Sequence, residues 1–442
     1  MKSDYREQVD NGKKTMKILF ISSSDSHGGA AKTAYRIFDS LREQGVEVKM
    51  LVRDKSTNDP DVISCLDFER KGIVGKFDKF IWKIKNRIRK RKWKEYPDRE
   101  TVFLNDLNSI SLIRAINSVD FDIIHLHFIA NRFLNLNELT KIGKPIVWTL
   151  HDCWPFTGIC HYFYECRKYT ISCGQCPFLH SVNESDLSNH VWKKKKYIYN
   201  KLDIHVVTPS SWLAEASRKS TLFANFPVIV IPNPIDVDLF SPGDRKQAAD
   251  ILQLATEKKY LLFGAMNAVK DTNKGFHYLI QTLQYFELNY LNSGIELLIV
   301  GAEQPLEELN LKISVKYLGV INSDEKMTLI YKIADVMVVP SLSENLSNAI
   351  MESLSCGTPV VAFNIGGNGD MIDHKLNGYL AKPFKVNDLA KGINWCLENN
   401  REMNLSKKAR LKVEGNYKEE NIASKYANLY SQVIENSTIK IC

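Results

Sequence analysis

Two carboxylates, Glu344 and Glu352, stand with seven residues between them in ADVMVVPSLSENLSNAIMESLSCGTPVVAF, residues 334–363. A charged acceptor makes the stronger hydrogen bond, so such acids suit the hydroxyls of a sugar or a ribose. Backbone N–H groups at a helix start suit phosphate, and Leu346 and Ser347 fall where a helix begins. Lys274, directly before Gly275 and a second helical stretch, is a natural phosphate clamp. Residues 334–363 together with Lys274 can therefore present a cradle for a diphosphate with an acid on each side. Acids on helices are usually solvated. Glu352, however, lies between apolar Ile350-Met351 and Leu354, which argues against that fate.

The elements around these residues follow from hydrophobic spacing. Val336 to Val339 is a short apolar run, the mark of a strand buried on both faces. Asn345 to Ser355 has helical spacing, with Leu346, Ile350 and Leu354 on one face. Gly357-Thr358-Pro359 stops the helix, and Val360 to Phe363 is the next strand. Strand, helix, strand makes parallel sheet, and ligands bind outside the carboxyl ends of such strands. The same alternation recurs along the chain, with strands expected at 16–22, 46–52, 121–127, 145–150, 203–209, 228–231, 260–264, 296–301, 317–320 and 335–340. After the first strand, Gly28 and Gly29 form a turn opening a helix, where a backbone can approach a ligand closely. His127 ends one strand, and His151-Asp152 follow another, so both histidines face one sheet edge. His125 is two residues deeper and is expected to be a satisfied core histidine.

The chain has 442 residues, 44% hydrophobic and 25% charged, enough for two or three globular domains. No apolar run approaches the ~20 residues that span a bilayer. The polar start, MKSDYREQVDNGKKT, lacks the apolar centre of a signal peptide. A cytoplasmic protein is therefore expected, with its nine cysteines as thiols or metal ligands. Residues 1–15 read as disordered.

Two stretches stand apart. Residues 72–94, GIVGKFDKFIWKIKNRIRKRKWK, put Phe77, Phe80, Ile81, Ile84 and Ile88 on one helical face and basic residues over the rest. Such a helix either lies on an anionic membrane or packs on the protein with a solvated basic face. No nucleic-acid partner is expected. Between 153 and 177 lie Cys160, Cys166, Cys173 and Cys176, after Cys153. That spacing admits a closed four-thiolate zinc site, free thiols, or a redox pair at Cys173-Cys176. A zinc there would be structural.

Glu344-x7-Glu352 followed by Ser355-Cys356-Gly357-Thr358-Pro359-Val360-Val361-Ala362 resembles the retaining glycosyltransferase family 4, above all its capsule and exopolysaccharide enzymes. The likeness extends to Gly28-Gly29, His127, Thr149-Leu150-His151-Asp152, Pro232-Asn233-Pro234-Ile235-Asp236 and Lys274-Gly275. It implies an α/β protein of GT-B architecture: two Rossmann-like domains with parallel sheets facing a central cleft. The implied division is an acceptor-side domain at 16–233, carrying the basic helix and the Cys-rich insertion 153–177. A donor domain at 234–420 follows, and then a helix at 421–442 that crosses back.

By the same resemblance the substrates are a UDP- or GDP-sugar and a lipid-linked saccharide, met at the inner face of the cell membrane. No cofactor is implied for the chemistry. Glu352 would hold the ribose. Lys274, Gly28, Gly29 and the N–H groups near Leu346-Ser347 would take the diphosphate, Glu344 a sugar hydroxyl, and His127 sugar and acceptor. His151, Asp152, Asn267 and Lys270 would border the cleft. Relatives carry an arginine where Met266-Asn267 stand here, so Lys270 is the candidate replacement. Two other readings fit the residues: a nucleotide-sugar epimerase, which needs no acceptor, and a non-catalytic membrane-associated scaffold, which has no need of Lys274, Glu344 and Glu352 together.

Overall fold

The computed structural model describes residues 16–68, 83–84, 87, 93–100, 112–130, 133–265, 267–290, 294–303 and 309–439. Its strands fall into two sheets, parallel at every pairing between strands. The first comprises β1 (Lys17–Ser24), β2 (Glu47–Asp54), β3 (Val62–Ser64), β4 (Ile123–Leu126), β5 (Ile146–Thr149), β6 (Ile204–Thr208) and β7 (Val228–Val230), in the order β3-β2-β1-β4-β5-β6-β7. The second comprises β8 (Lys259–Gly264), β9 (Ile295–Val300), β10 (Ser314–Tyr317), β11 (Val336–Val339), β12 (Val360–Phe363) and β13 (Gly378–Ala381), in the order β10-β9-β8-β11-β12-β13. In both, the order reverses beside the first strand, which opens a crevice at the carboxyl ends.

The helices that matter below are α1 (Gly29–Glu43), α2 (Leu187–Tyr199), α3 (Ser211–Lys219), α4 (Phe276–Asn289), α5 (Asp324–Ile333), α6 (Asn348–Ser355), α7 (Val386–Met403), α8 (Leu405–Tyr417) and α9 (Glu419–Ile439). Each sheet is covered on both faces, as all-parallel sheets require. Leu279 and Leu283 of α4 and Leu389 and Ile393 of α7 fill one side of the second sheet; Ile350 and Leu354 of α6 and Val413 of α8 fill the other. The last helix, α9, belongs to the first sheet. Its Ile422, Ala423, Tyr426, Leu429, Tyr430 and Val433 pack with Ile18, Phe20, Ile37 and Phe38. Its register along α9 (422, 426, 429, 430, 433) is the i, i+3, i+4 stripe of a buried helix face.

Three expectations shift. The strand expected at 317–320 lies at Ser314–Tyr317 instead. It is a half-exposed edge strand, so its polar residues gave no apolar run to read. The helix expected from Asn345 begins at Asn348, because Asn345 is drawn into contacts with the first domain, given below. The strands β3 and β13 were not expected from the sequence. The expected disordered segment 1–15 and most of the basic helix 72–94 lie outside the described residues. Among the described residues no helix is long and apolar enough to cross a membrane.

Candidate active site

The loops after β8 and β11 bring Lys274 and Glu344 together. Asp271 accepts the Asn273 N–H at 3.0 Å and turns the chain before Lys274. Asn273 then ties that turn to the β11 loop: its side-chain amide donates to Ser343 O at 2.9 Å, and its carbonyl accepts from Leu342 N at 2.8 Å. At Gly275 the backbone is left-handed (φ 69°), and a Cβ there would stand 1.9 Å from Pro340 O. Only glycine lets Lys274 come this close to β11. Lys274 Nζ ends 2.7 Å from Glu344 Oε1, with side chains 24% and 12% exposed. The carboxylate beside it holds the ammonium above its ordinary range.

The Glu344 loop is fixed from both sides. Gly366 (φ 52°) lies so close beneath it that a Cβ would meet Glu344 O at 1.8 Å, and Gly367 N donates to Glu344 O at 3.1 Å. Across the cleft, Asn345 donates to the carbonyls of Leu150 and His151 at 3.3 and 3.2 Å and accepts from Ser210 Oγ at 2.7 Å. Asp370 accepts the first amide of α3, from Ser211, at 2.6 Å. The first turn of α6 has no side-chain cap, so its amides remain available beside Leu346 and Ser347. Opposite it is the Gly28-Gly29 turn, where Asn348 Nδ2 reaches Gly29 O at 3.4 Å.

The histidines form a layered set at the carboxyl ends of β4 and β5. His125 is fully buried, bonded to Thr149 Oγ1 through Nε2 and to Tyr430 of α9 through Nδ1, both at 2.7 Å. It is a core histidine. His127 Nδ1 and His151 Nε2 share a proton-bearing contact of 3.1 Å, with their rings stacked at 5.3 Å. Burial pushes all three imidazoles down, His151 to about 4. The set is therefore neutral at pH 7 and positions by hydrogen bonding rather than charge. The Nε2 of His127 is buried with no hydrogen-bond partner among the described residues.

Asp152 accepts the Trp154 N–H at 2.9 Å. Burial pushes its carboxyl up from 3.8 to about 7. A carboxyl raised in the folded state contributes full stability below its unfolded pKa and loses it as pH rises through the folded one. Asp152→Asn removes that loss. Its melting temperature is expected to exceed wild type by a few degrees at pH 8. The gap should open between about pH 4 and pH 7 and stay flat above. Melting curves that run parallel at every pH would refute the assignment.

Residues 27–239 match the family described as Glycosyltransferase Family 4, and residues 244–412 match Glycosyl transferases group 1. The two matches take in the His127 and Gly28-Gly29 side of the cleft and the Lys274, Glu344 and Glu352 side. The chain belongs to glycosyltransferase family 4. It is 23% identical over 357 residues to an Escherichia coli UDP-Gal:alpha-D-GlcNAc-diphosphoundecaprenol alpha-1,3-galactosyltransferase, covering 76% of this chain and 82% of that one. It is 24% identical over 380 residues to the D-inositol 3-phosphate glycosyltransferase of Mycolicibacterium smegmatis, covering 81% and 76%. Sucrose-phosphate synthase from Thermosynechococcus elongatus superposes with a TM-score of 0.64 at 20% identity, over 95% of this chain and all of that one. Anabaena HepE in complex with UDP and glucose gives 0.61 at 18%, over 94% and 100%. The fold is GT-B, and the protein is a glycosyltransferase.

In the Cys-rich insertion of this family 4 glycosyltransferase, Cys160, Cys166, Cys173 and Cys176 lie near one another, their sulfurs close enough to interact electrostatically. Among the described residues no three His, Cys, Asp or Glu side chains are grouped so that they could hold a metal ion, and this includes Cys160, Cys166, Cys173 and Cys176. Cys173 Sγ accepts the Gly158 N–H at 3.1 Å. Burial pushes the Cys173 thiol up to about 12 and Cys176 to about 11. The segment is held by Lys195 of α2, whose ammonium donates to the carbonyls of Trp154 and Thr157 and sits 3.7 Å from the Trp154 ring centre. Its tip crosses the cleft, where Tyr164 OH donates to Asn273 Oδ1 at 3.3 Å.

Not every expected donor residue joins Lys274 and Glu344. Lys270 is exposed, and its backbone N–H bonds Asn267 O within the turn. Asn267 (φ 54°) serves that turn, also accepting from Asp271 N. Glu352 sits farther along α6, and both its oxygens have protein partners: Arg36 at 3.3 Å and Tyr331 OH at 3.1 Å. Arg36 and Asn345 are cleft residues that the sequence reading missed; Asn348 was read there only as an amide donor beside Ser347. The available signal was Lys32 and Arg36 at i, i+4 on a helix otherwise read only for its apolar face.

Proposed function

We propose that this family 4 enzyme transfers a sugar, with retention at the anomeric carbon, from a UDP- or GDP-sugar to a saccharide acceptor carried on a lipid or polysaccharide, in cell-surface polysaccharide synthesis. The observation that carries the donor half is the Lys274–Glu344 ion pair at the carboxyl ends of β8 and β11. An arriving diphosphate takes over the ammonium and also meets the free amides at the start of α6. Glu344, released from Lys274, accepts a hydroxyl of the transferred sugar. His127 presents its buried Nε2 to sugar or acceptor from the opposite wall. Glu352 holds the ribose with the lone pairs left over from Arg36 and Tyr331, since a carboxylate has about four acceptor sites.

Stabilising charge on the departing diphosphate lowers the barrier, and domain loops that already touch hold the reactants in place. The leaving phosphate takes the proton of the attacking hydroxyl on the same face, so the new bond keeps the donor's configuration. The names and titles of the relatives above, with UDP-Gal, a diphosphoundecaprenol acceptor and bound UDP, support this choice of substrates. The basic stretch 72–94, read from sequence, supports docking at an anionic membrane.

The test is product analysis. The full chain is incubated with UDP-glucose, UDP-galactose, UDP-N-acetylglucosamine or GDP-mannose and a polyprenyl-diphosphate saccharide. The expected product carries the α linkage of its donor, and nucleotide release depends on acceptor. A β-linked product, or a donor epimerised with no acceptor present, would overturn the proposal.

A further inference from the structure

The two domains also meet away from the Lys274–Glu344 pair, along α1 of the first and α5 and α6 of the second. Arg36 NH2 lies 3.3 Å from Glu352 Oε1 and 3.8 Å from Asp324 Oδ2. One turn earlier on α1, Lys32 Nζ lies 2.8 Å from Asp324 Oδ1. On α5, the Tyr331 hydroxyl donates to the other oxygen of Glu352. Asn348 continues the row, meeting Gly29 O, Thr33 Oγ1 and Asn233 Nδ2, each at 3.4 Å. The Arg36 guanidinium lies 5.5 Å from the Phe240 ring centre, and its NH1 is buried without a partner among the described residues.

Arg36 and Glu352 are only 12% and 13% exposed. A carboxylate so withdrawn from water is costly unless a counter-ion faces it. Within its own domain, the described groups that bear most on Glu352 are the acid Asp324 and the neutral Tyr331, with the Cys356 thiol nearby. Its cations, Arg36 and Lys32, come from the other domain. Glu419, at the start of α9, faces Arg36 from behind. Among the described residues, the cation in ion-pair contact with Glu352 thus comes from the first domain.

We propose that Arg36 is the positioning residue for Glu352: supplied by the first domain, it keeps this second-domain carboxylate ionised and aimed, so that the ribose-holding acid is ready only in the closed arrangement. The proposal rests on the reading that Glu352 holds the donor ribose. Without Arg36, burial and the neighbouring Asp324 act on Glu352 against only the Tyr331 hydroxyl and Lys32, and its carboxyl holds a proton to higher pH. A protonated acid is a weaker acceptor for ribose hydroxyls. An ionised, unpaired one destabilises the fold.

The experiment compares wild type, Arg36→Gln, Arg36→Lys, Glu352→Gln and the double Arg36→Gln/Glu352→Gln as full chains from pH 5.5 to 8.5. Melting temperature and affinity for UDP, GDP and ADP by calorimetry are the readouts. Arg36→Gln should melt lower than wild type, by more at high pH than at low. In the double variant the second substitution should cost nothing further. UDP affinity of Arg36→Gln should fall several-fold at pH 6, where Glu352 then holds its proton, and recover toward pH 8. Arg36→Lys should restore much of both. A merely structural salt bridge would move melting without that opposite trend in affinity, and would overturn the proposal. Additive melting changes for Arg36→Gln and Glu352→Gln would overturn it as well, whatever the nucleotides do. Failure of wild type to bind any of the three nucleotides would defeat the donor reading, and the ribose half of this proposal with it.

Discussion

Glu344→Ala is expected to abolish sugar transfer while leaving both the fold and nucleotide binding in place. The carboxylate sits in a loop braced by Gly366, Gly367 and Asn345 through backbone contacts that its side chain does not make. Removing it breaks one partly exposed ion pair, a loss of about 1–2 kcal/mol, well short of unfolding. Lys274 is then freed from its only ion pair among the described residues, so UDP should bind as tightly as before or tighter. Transfer should fall by at least about 10²–10³-fold, the scale on which lost charge positioning acts, because nothing else at that point can hold the sugar hydroxyl. Glu344→Gln keeps an acceptor oxygen without the charge and should fall between the two. Steady-state transfer and calorimetry on the same preparations check this. Full activity in Glu344→Ala would sink the assignment.

Lys274→Ala is expected to produce the complementary defect. Among the described residues, the ammonium is the one cation that the β8 loop brings into ion-pair contact with Glu344; Lys270 is exposed and residue 267 is an asparagine. Losing it takes away charge stabilisation of the departing diphosphate, worth about 10²–10³ in turnover. Unlike the Glu344 variant, it also weakens the bound nucleotide, so affinity and turnover fall together. Lys274→Arg should recover little, because a planar guanidinium does not fit a turn built around a compact ammonium held between Asn273 and Gly275. Equal nucleotide affinity in wild type and Lys274→Ala would place the diphosphate elsewhere.

The local parts of this site were legible in the sequence. Apolar runs with sharp stops gave β11 and β12 at nearly their observed ends, and spacing placed Lys274 ahead of Gly275 at the mouth of a helix. Those signals depend on burial and turn chemistry within a few residues. What the sequence did not show depends on docking between domains. Asn345 reads as the first residue of a helix, yet its amide is taken by carbonyls of Leu150 and His151, nearly two hundred residues away. Arg36 reads as a solvated residue on an amphipathic helix, yet it faces Glu352. The cysteine spacing did put Cys160, Cys166, Cys173 and Cys176 near one another, and in the fold they share a buried core with Phe156, Phe163 and Tyr169.

The most direct measurement is a calorimetric titration of the full chain with UDP, GDP and ADP, in wild type and in Lys274→Ala. At 100 times the dissociation constant a ligand stabilises its protein by about 2.7 kcal/mol, so a parallel melt should rise by a few degrees. A single saturable site for one nucleotide, lost or much weakened in Lys274→Ala, is the predicted result. Binding that is absent for all three, or unchanged by the substitution, would contradict a donor site built on Lys274 and Glu344.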